Sequence, residues 1–471
     1  MSRPRWTQPT RWPGLVRGFA SLWRRRGAGA PGQPVTHPAP AALRAVISRH
    51  AGRIAGATGD PSTGETFERL MLNTWQTTIT RRADGTAFVI TGDIPAMWLR
   101  DSSAQLRPFV VLAPESDEVV DLLAGTIAQQ WDCIERAPYA NAFNPAPNNA
   151  SWHAGDLCDN PWVWEEKYEI DSLAFPIQLA WQAWKATGRD DLVAPLRNRA
   201  RVVTGLWRTE QDHRNSSYRF VRPGTGDTLG SDGRGTPVAV TGMTWSGFRP
   251  SDDPCTYGYN IPAQLFAAHA LDLLAELAER VWDDADLVQE CRALAGEIRR
   301  GVRRFGFAGA GFADGVLAYE VDGLGGQLLM DDANMPSLLS LPLCSAIAPD
   351  DPVYLATRRW VLSTDNPHFH RGRAASGVGS PHTPPGYIWP IALAVEGLTS
   401  TDADAKRRLV EVLMRTEGGT GMMHESFDAH DPMVFTRPWF SWANSMFCEL
   451  LLDVAGHTIA DLTGPWHDRD W

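Results

Sequence analysis

"IPAQLFAAHALDLLAELAERVWDDADLVQECRALAGEIRRGVRRFG", residues 261–306, reads as two long helices joined by the short "WDDAD". So tight a connection folds the pair back on itself as an αα-hairpin. Apolar residues three and four apart recur along the rest of the chain. They mark "FERLMLNTWQTTI" (67–79) as the first clear amphipathic run and "DEVVDLLAGTIAQQWDCIER" (117–136) as another. "DSLAFPIQLAWQAWKATG" (171–188) opens at an Asp or Ser cap and stops at Gly188. "LVAPLRNRARVVTGLWRTEQDH" (192–213) follows almost at once. The remaining helical runs are "SSAQLRPFVVLA" (102–113), "MPSLLSLPLCSAI" (335–347), "PVYLATRRWVLS" (352–363), "YIWPIALAVEGL" (387–398), "DADAKRRLVEVLMRT" (402–416) and "SWANSMFCELLLDVAG" (441–456).

Strand-like pieces are short: "AFVITG" (87–92), "YRFVR" (218–222) and "VLAYEVDG" (316–323). No βαβ alternation appears, which argues against a parallel sheet. About twelve helices, many in adjacent pairs, predict an all-α fold: an (α/α)6 barrel of six hairpins with short β-hairpins in the loops. A two-domain α-solenoid is the alternative, and the lack of a repeat at a fixed period of roughly 20–50 residues counts against it. Residues 1–38 are expected to be a disordered basic arm and 39–471 a single catalytic domain.

The chain has 471 residues, 43% hydrophobic and 21% charged, with 20 Trp beside 8 Tyr. Many of these indoles fit a core, and a chain this rich in them can also expose several in a cleft. The net charge is −11, although the first 40 residues hold seven Arg and no Lys, Asp or Glu. An acidic body argues against nucleic acid as the main ligand, because that binding rests on phosphate neutralisation. Cys133, Cys158, Cys255, Cys291, Cys344 and Cys448 are widely spaced with no CxxC, so free thiols are expected. The arm has no apolar run of about 7–15 residues. No clear signal peptide is therefore read, and a cytoplasmic location is expected with export left open. No stretch of roughly 18 apolar residues suggests a transmembrane helix.

Six loops share one composition. They are "GDIPAMWLRDSSAQL" (92–106), "NPWVWEEKYEIDS" (160–172), "GMTWSGFRPSDDPCTYGYNIP" (242–262), "YEVDGLGGQLLMDDANMPS" (319–337), "GVGSPHTPPGYIWP" (377–390) and "GMMHESFDAHDPMVFTRPWFSWANS" (421–445). In each, Gly and Pro fix the loop, carboxylates and amides stand beside Trp or Tyr, and a helix follows. Taken singly, "SDDP" and "DDAN" are ordinary caps, His424 is a structural histidine and Trp98 or Trp442 is core. Their recurrence in one chain favours carbohydrate recognition. An indole covers the C–H face of a pyranose, and carboxylates and amides pair with its hydroxyls. Glycoside hydrolysis needs two carboxyl groups, one protonated and one ionised. Asp252 and Asp253, among Trp245, Phe248 and Tyr257, are candidates for a carboxyl whose pKa is raised, with Arg249 acting the other way. Glu425, in "MHESF" between Met423 and Phe427 and beside His424, is a candidate partner.

With "EKYEIDSL", "YGYNIPA", "LMDDANMPSLLSLP", "GSPHTP", "IWPI" and "FTRPWFSWANS", these blocks resemble the metal-independent exo-α-1,6-mannosidases of glycoside hydrolase family 125 over about residues 65–455. The resemblance implies an (α/α)6 barrel and an inverting, metal-independent removal of terminal mannose, without cofactor. It implies Asp252 as general acid, with Asp253 the fallback, and Glu425 as general base. It implies a mannose site drawn from Trp98, Arg100, Asp101, Trp245, Arg249, Asp253, Asp332, Asn334, His382, His424, Trp442 and Asn444. The expected partner is a mannose-containing glycan. Another (α/α)6 sugar-active enzyme, a non-catalytic glycan-binding protein and a calcium- or zinc-dependent mannosidase are the competing readings.

Overall fold

The structure is a computed structural model that describes residues 38–153, 155–309 and 315–464. The basic arm expected over residues 1–38 thus lies outside the described residues, apart from its last position. The described helices of nine or more residues begin with α1 Ala41–Thr58, α2 Pro61–Thr77, α3 Leu99–Leu112 and α4 Asp117–Arg136. They continue with α5 Asp171–Thr187, α6 Arg197–Glu210, α7 Ile261–Leu277 and α8 Ala285–Phe305. The last four are α9 Pro352–Val361, α10 Pro390–Leu398, α11 Ala403–Arg415 and α12 Ser441–Val454.

Burial separates two kinds of helix. In α3 every residue is buried, and in α7 all but Asp272 and Glu276 are. Such helices have to be surrounded by protein. In α8 the buried residues are Leu287, Cys291, Leu294, Ala295, Ile298, Gly301 and Val302, the single stripe of a helix with one wet face. The enclosed helices neighbour one another: α3 packs on α5 and α12, α5 on α7, and α12 on α10. A single turn, Leu341–Cys344, packs on α7. Around them α4 packs on α5, α8 on α7, α2 on α12, and α11 on α10 and α12. One hydrophobic cluster reaches from Ala39 to Ile459.

Three expectations change. Helix α1 precedes the first run read from the sequence. Gly52 and Gly56 interrupt its pattern, and burial of Leu43, Val46, Ile47 and Ile54 stabilises it. The expected helix over 335–347 shrinks to Leu341–Cys344. There the Asp331 carboxylate accepts from the amides of Leu338 and Leu339, and Ser337 and Ser340 exchange side-chain bonds. Such local bonding competes with a helical ladder. The expected strand at 218–222 does not form; Phe220 instead bonds the backbones of Gly233 and Leu229 across a loop. Among the described residues Ile261–Trp282 is long and apolar enough to cross a membrane. Of its apolar window 89% is buried inside the protein, so its apolar character answers to packing.

Among the described residues all strand pairs are antiparallel and short. β1 (Ile79–Arg81) pairs β2 (Ala87–Val89), and β9 (Phe369–Arg371) pairs β10 (Ser376–Val378). Three triplets have the order β3 (Met97–Trp98), β4 (Ala142–Phe143), β5 (Val163–Glu165); β6 (Tyr259–Asn260), β7 (Glu320–Val321), β8 (Gln327–Leu328); and β11 (Tyr387–Ile388), β12 (Ser426–Asp428), β13 (Phe435–Thr436). β3 runs directly into α3, β6 into α7, and β11 reaches α10 after one residue. The sheets therefore collar the N-terminal ends of enclosed helices.

Candidate active site

Arg100, in the first turn of α3, is the hub. Its Nη1 donates to Glu169 Oε2 at 2.6 Å and Asp171 Oδ2 at 3.2 Å, and its Nη2 to Asp252 Oδ1 at 3.0 Å. Its Nε lies 3.5 Å from Asp101 Oδ2. Asp101 and Asp171 stand in the first turns of α3 and α5, where unpaired amides and the helix dipole favour negative charge. Asn141, just before β4, takes Lys167 N–H on its Oδ1 at 3.1 Å. That bond points its Nδ2 at Glu165, Glu169 and Asp252, 3.3–3.4 Å away.

Asp252 sits in a tight turn ahead of β6 with φ +64°, a left-handed conformation Asp tolerates better than most residues. The Lys167 ammonium holds the Asp252 carbonyl at 2.7 Å. The next carboxylate, Asp253, meets His382 Nδ1 at 2.9 Å. Glu425 immediately precedes β12. Its Oε1 accepts from Arg437 Nη1 at 3.3 Å, and Arg437 in turn grips Asp93 through Nε and Nη2. Asn444, in the first turn of α12, accepts the Met423 amide at 2.8 Å and so fixes the loop that carries Glu425.

His382 links the two loops electrostatically. Burial disfavours its charge, but Asp253, then Glu425 and Asp252, lift it to about 9. For Asp252, burial favours the neutral form. Arg100, a hydrogen bond with Glu169, Lys167 and His382 outweigh burial and hold the carboxyl well below its ordinary range. Glu169 goes the other way: burial lifts it, Arg100 opposes, and the charges of Asp252 and Asp171 leave it well above its ordinary range. Asp101 and Asp171 are each raised to about 6, by burial against Arg100.

This overturns the expectation that apolar neighbours keep Asp252 neutral. Arg100, distant in sequence, dominates its surroundings. The neighbour expected to act that way, Arg249, is bound to Glu320 and Thr256. Two further expectations need correction. Trp245 lies in an aromatic stack, 3.5 Å from His213 and 6.2 Å from Tyr168, as part of the core. His424 lies against Phe435 at 3.8 Å, and its ring nitrogens face the carbonyls of Pro438 and Glu417, so its ring is occupied by the protein.

The other expected residues fall as follows. The Arg100 guanidinium lies 5.6 Å from the Trp442 ring centre. Trp98 belongs to a small separate cluster with Ala96 and Ala142, flanked by Trp164. Asp332 Oδ1 accepts from Asn334 Nδ2 at 3.2 Å, while Asp332 Oδ2 and the Trp98 and Trp442 indole N–H groups are buried without a hydrogen-bond partner. The Ala333 amide donates to the Gly379 carbonyl at 3.1 Å, which joins the Asp332 loop to the loop that carries His382. Glu169, Asp171, Asn141, Lys167, Asp93 and Arg437 were not singled out as site residues. Glu169, Lys167 and Asp171 lie within "EKYEIDS", and Asp93 and Arg437 within other quoted blocks. Their partners lie far along the chain, beyond the reach of spacing. Among the described residues no group of three or more His, Cys, Asp or Glu is arranged to hold a metal ion.

Residues 60–452 match the family described as metal-independent alpha-mannosidase (GH125). The meiotically up-regulated gene 157 protein of Schizosaccharomyces pombe is 38% identical over 423 residues, covering 84% of this chain and 82% of that protein. A Streptococcus pneumoniae structure, from an analysis of metal-independent alpha mannosidases and the processing of N-linked glycans, is a non-productive substrate complex with α-1,6-mannobiose. It is 44% identical, with a TM-score of 0.85, over 89% of this chain and 99% of that one. A bacterial glucoamylase complexed with acarbose shares the fold at 13% identity and a TM-score of 0.56, over 86% of this chain and 57% of that one.

Proposed function

The chain belongs to the metal-independent α-mannosidases of glycoside hydrolase family 125, and from that premise we propose that it removes terminal mannose from α-1,6-linked mannosides with inversion. The observation that carries the reading is the 44% identity, over nearly the whole length, to the pneumococcal protein bound to α-1,6-mannobiose. The enclosed helices and the outer set are read as the two rings of an (α/α)6 barrel. The active site lies at the collared end, where the helix N-termini gather Arg100, Asp171 and Asn444.

In this mechanism Asp252 is the general acid, with Asp253 the fallback, and Glu425 the general base. Asp252 delivers a proton to the glycosidic oxygen as the bond to the anomeric carbon breaks. Glu425 takes a proton from a water that attacks the opposite face. Inversion needs a separation of roughly 6.5–9.5 Å between the carboxyl groups to admit that water. Support comes from His382, whose charge answers to Asp253, Glu425 and Asp252 together. Asp332 Oδ2 and the Trp98 indole N–H, buried and unpartnered, suit the hydroxyl rim of a mannose. Their desolvation is offset when a sugar supplies the missing bonds.

Incubation with α-1,6-, α-1,3- and α-1,2-mannobiose in EDTA, followed by NMR, tests the reading. Release of mannose from the α-1,6 isomer, appearing first as the β-anomer at a rate EDTA leaves unchanged, is expected. First appearance of the α-anomer removes the inverting assignment. Cleavage confined to a non-mannoside removes the function.

A further inference from the structure

Glu169 and Asp252 are held as a pair. Both accept from the Arg100 guanidinium, Glu169 from Nη1 and Asp252 from Nη2. Both also accept from the Asn141 amide, at 3.4 Å each. Their exposures differ: the Asp252 side chain is 24% accessible and that of Glu169 is 0%. Glu169 therefore lies behind Asp252, with Ser172 Oγ donating to its Oε2 at 2.9 Å.

The surrounding charge is unbalanced. Asp101 of α3, Glu165 of β5, Asp171 of α5 and Glu169 are buried around Arg100 and Lys167, with Asp252 half-buried beside them. Arg222 adds a cation at Glu165, but Asp156 and Asp227 share it. His382 stands beside Asp253, its Nδ1 2.9 Å from Asp253 Oδ1, with Glu425 also in its field. So many carboxylates cannot all ionise in a desolvated site, and a close pair titrates as a unit.

We propose that Glu169 stores the proton that Asp252 delivers to the glycosidic oxygen, which makes it a positioning residue of the acid catalyst. The inference rests on the reading of Asp252 as the acid. Burial and the Asp252 charge lift Glu169 well above its ordinary range, and its hydrogen bond helps to keep Asp252 ionised. The Glu169 carboxyl O–H passes its proton to an Asp252 carboxylate oxygen, leaving Glu169 ionised against Arg100. Asp252 then protonates the glycosidic oxygen, which keeps the electron pair of the broken bond to the anomeric carbon. Water forms the new bond and gives one proton to Glu425. Glu425 releases that proton to solvent, and the Glu169–Asp252 pair takes one back.

The test compares wild type, Glu169→Gln, Ser172→Ala and Asp252→Asn on α-1,6-mannobiose and on a 2,4-dinitrophenyl α-mannoside, whose leaving group needs no acid. Glu169→Gln is expected to lose about 10²-fold on mannobiose, within the range for acid catalysis, and less than about fivefold on the aryl substrate. The alkaline limb of its pH–rate profile should fall by at least about one pH unit, because Asp252 alone faces Arg100. Ser172→Ala removes a donor to the ionised Glu169, so its alkaline limb should rise. Equal losses on both substrates with the limb unmoved would make Glu169 merely structural and overturn the proposal. If Glu169→Gln lacks aryl activity through misfolding, an unmoved or lowered limb in Ser172→Ala overturns it instead. Asp252→Asn should show the same split between substrates. If it does not, the acid assignment fails independently of Glu169.

Discussion

Asp252 and Arg437 both hold left-handed backbones, at φ +64° and +42°, one beside the proposed acid chemistry and one gripping Glu425. Strain of this kind persists only where surroundings over-determine it, and it gathers at functional sites. Here Lys167 fixes the Asp252 carbonyl, and Asp93 fixes Arg437. His382 is the residue whose titration is most open to test. Burial lowers its proton affinity, but Asp253, Glu425 and Asp252 raise it from 6.5 to about 9. A raised histidine stabilises the fold fully below its unfolded pKa, and that contribution is lost as pH climbs through the folded value. Urea unfolding of wild type and His382→Gln should show a gap at pH 6 that closes by about pH 9.5. A gap constant across that window would mean His382 is not held as a cation. At this scale the sequence named Asp252, Asp253, Glu425, Arg100 and His382. Glu169 fell within a quoted loop, but the role proposed for it was not legible there, because its partner Arg100 lies 69 positions earlier.

Between elements, one buried ion pair ties the enclosed helices together. Arg107 of α3 donates from Nε and Nη2 to the two oxygens of Glu449 on α12, both at 2.7 Å, and from Nη1 to Gln178 of α5. Removing one partner leaves an uncompensated charge in the interior, which costs about 3–5 kcal/mol. Glu449→Gln should therefore lower the unfolding free energy by that amount, read as a lower urea midpoint at unchanged slope, and Arg107→Met with Glu449→Leu should recover part of it. A Glu449→Gln protein as stable as wild type would show that water reaches Arg107. Helix periodicity located α4, α5, α7 and α8 with ends close to those observed, since caps such as Ser116 and Asp284 are local. It failed at α1, whose glycines weaken a local signal that tertiary packing then overrides. It failed again over 335–347, where the Asp331 carboxylate takes amides a helix would use.

At the scale of the molecule, one hydrophobic cluster runs from Ala39 to Ile459. A core shared by first and last helices should unfold as a unit. Far-ultraviolet circular dichroism and tryptophan fluorescence are expected to give coincident transitions in urea; separated midpoints would divide the chain into independent parts. The sequence by itself determined the helical class, most of the helix boundaries and the family, and it picked out the loops proposed to carry the chemistry, because periodicity, capping and motif composition are local. Only the tertiary structure decided which carboxylate stands beside which cation. Proton affinity depends on burial and on charges within a few ångströms, and the chain brings those charges together from residues 100, 169, 252, 382 and 425, across separations that no local pattern records.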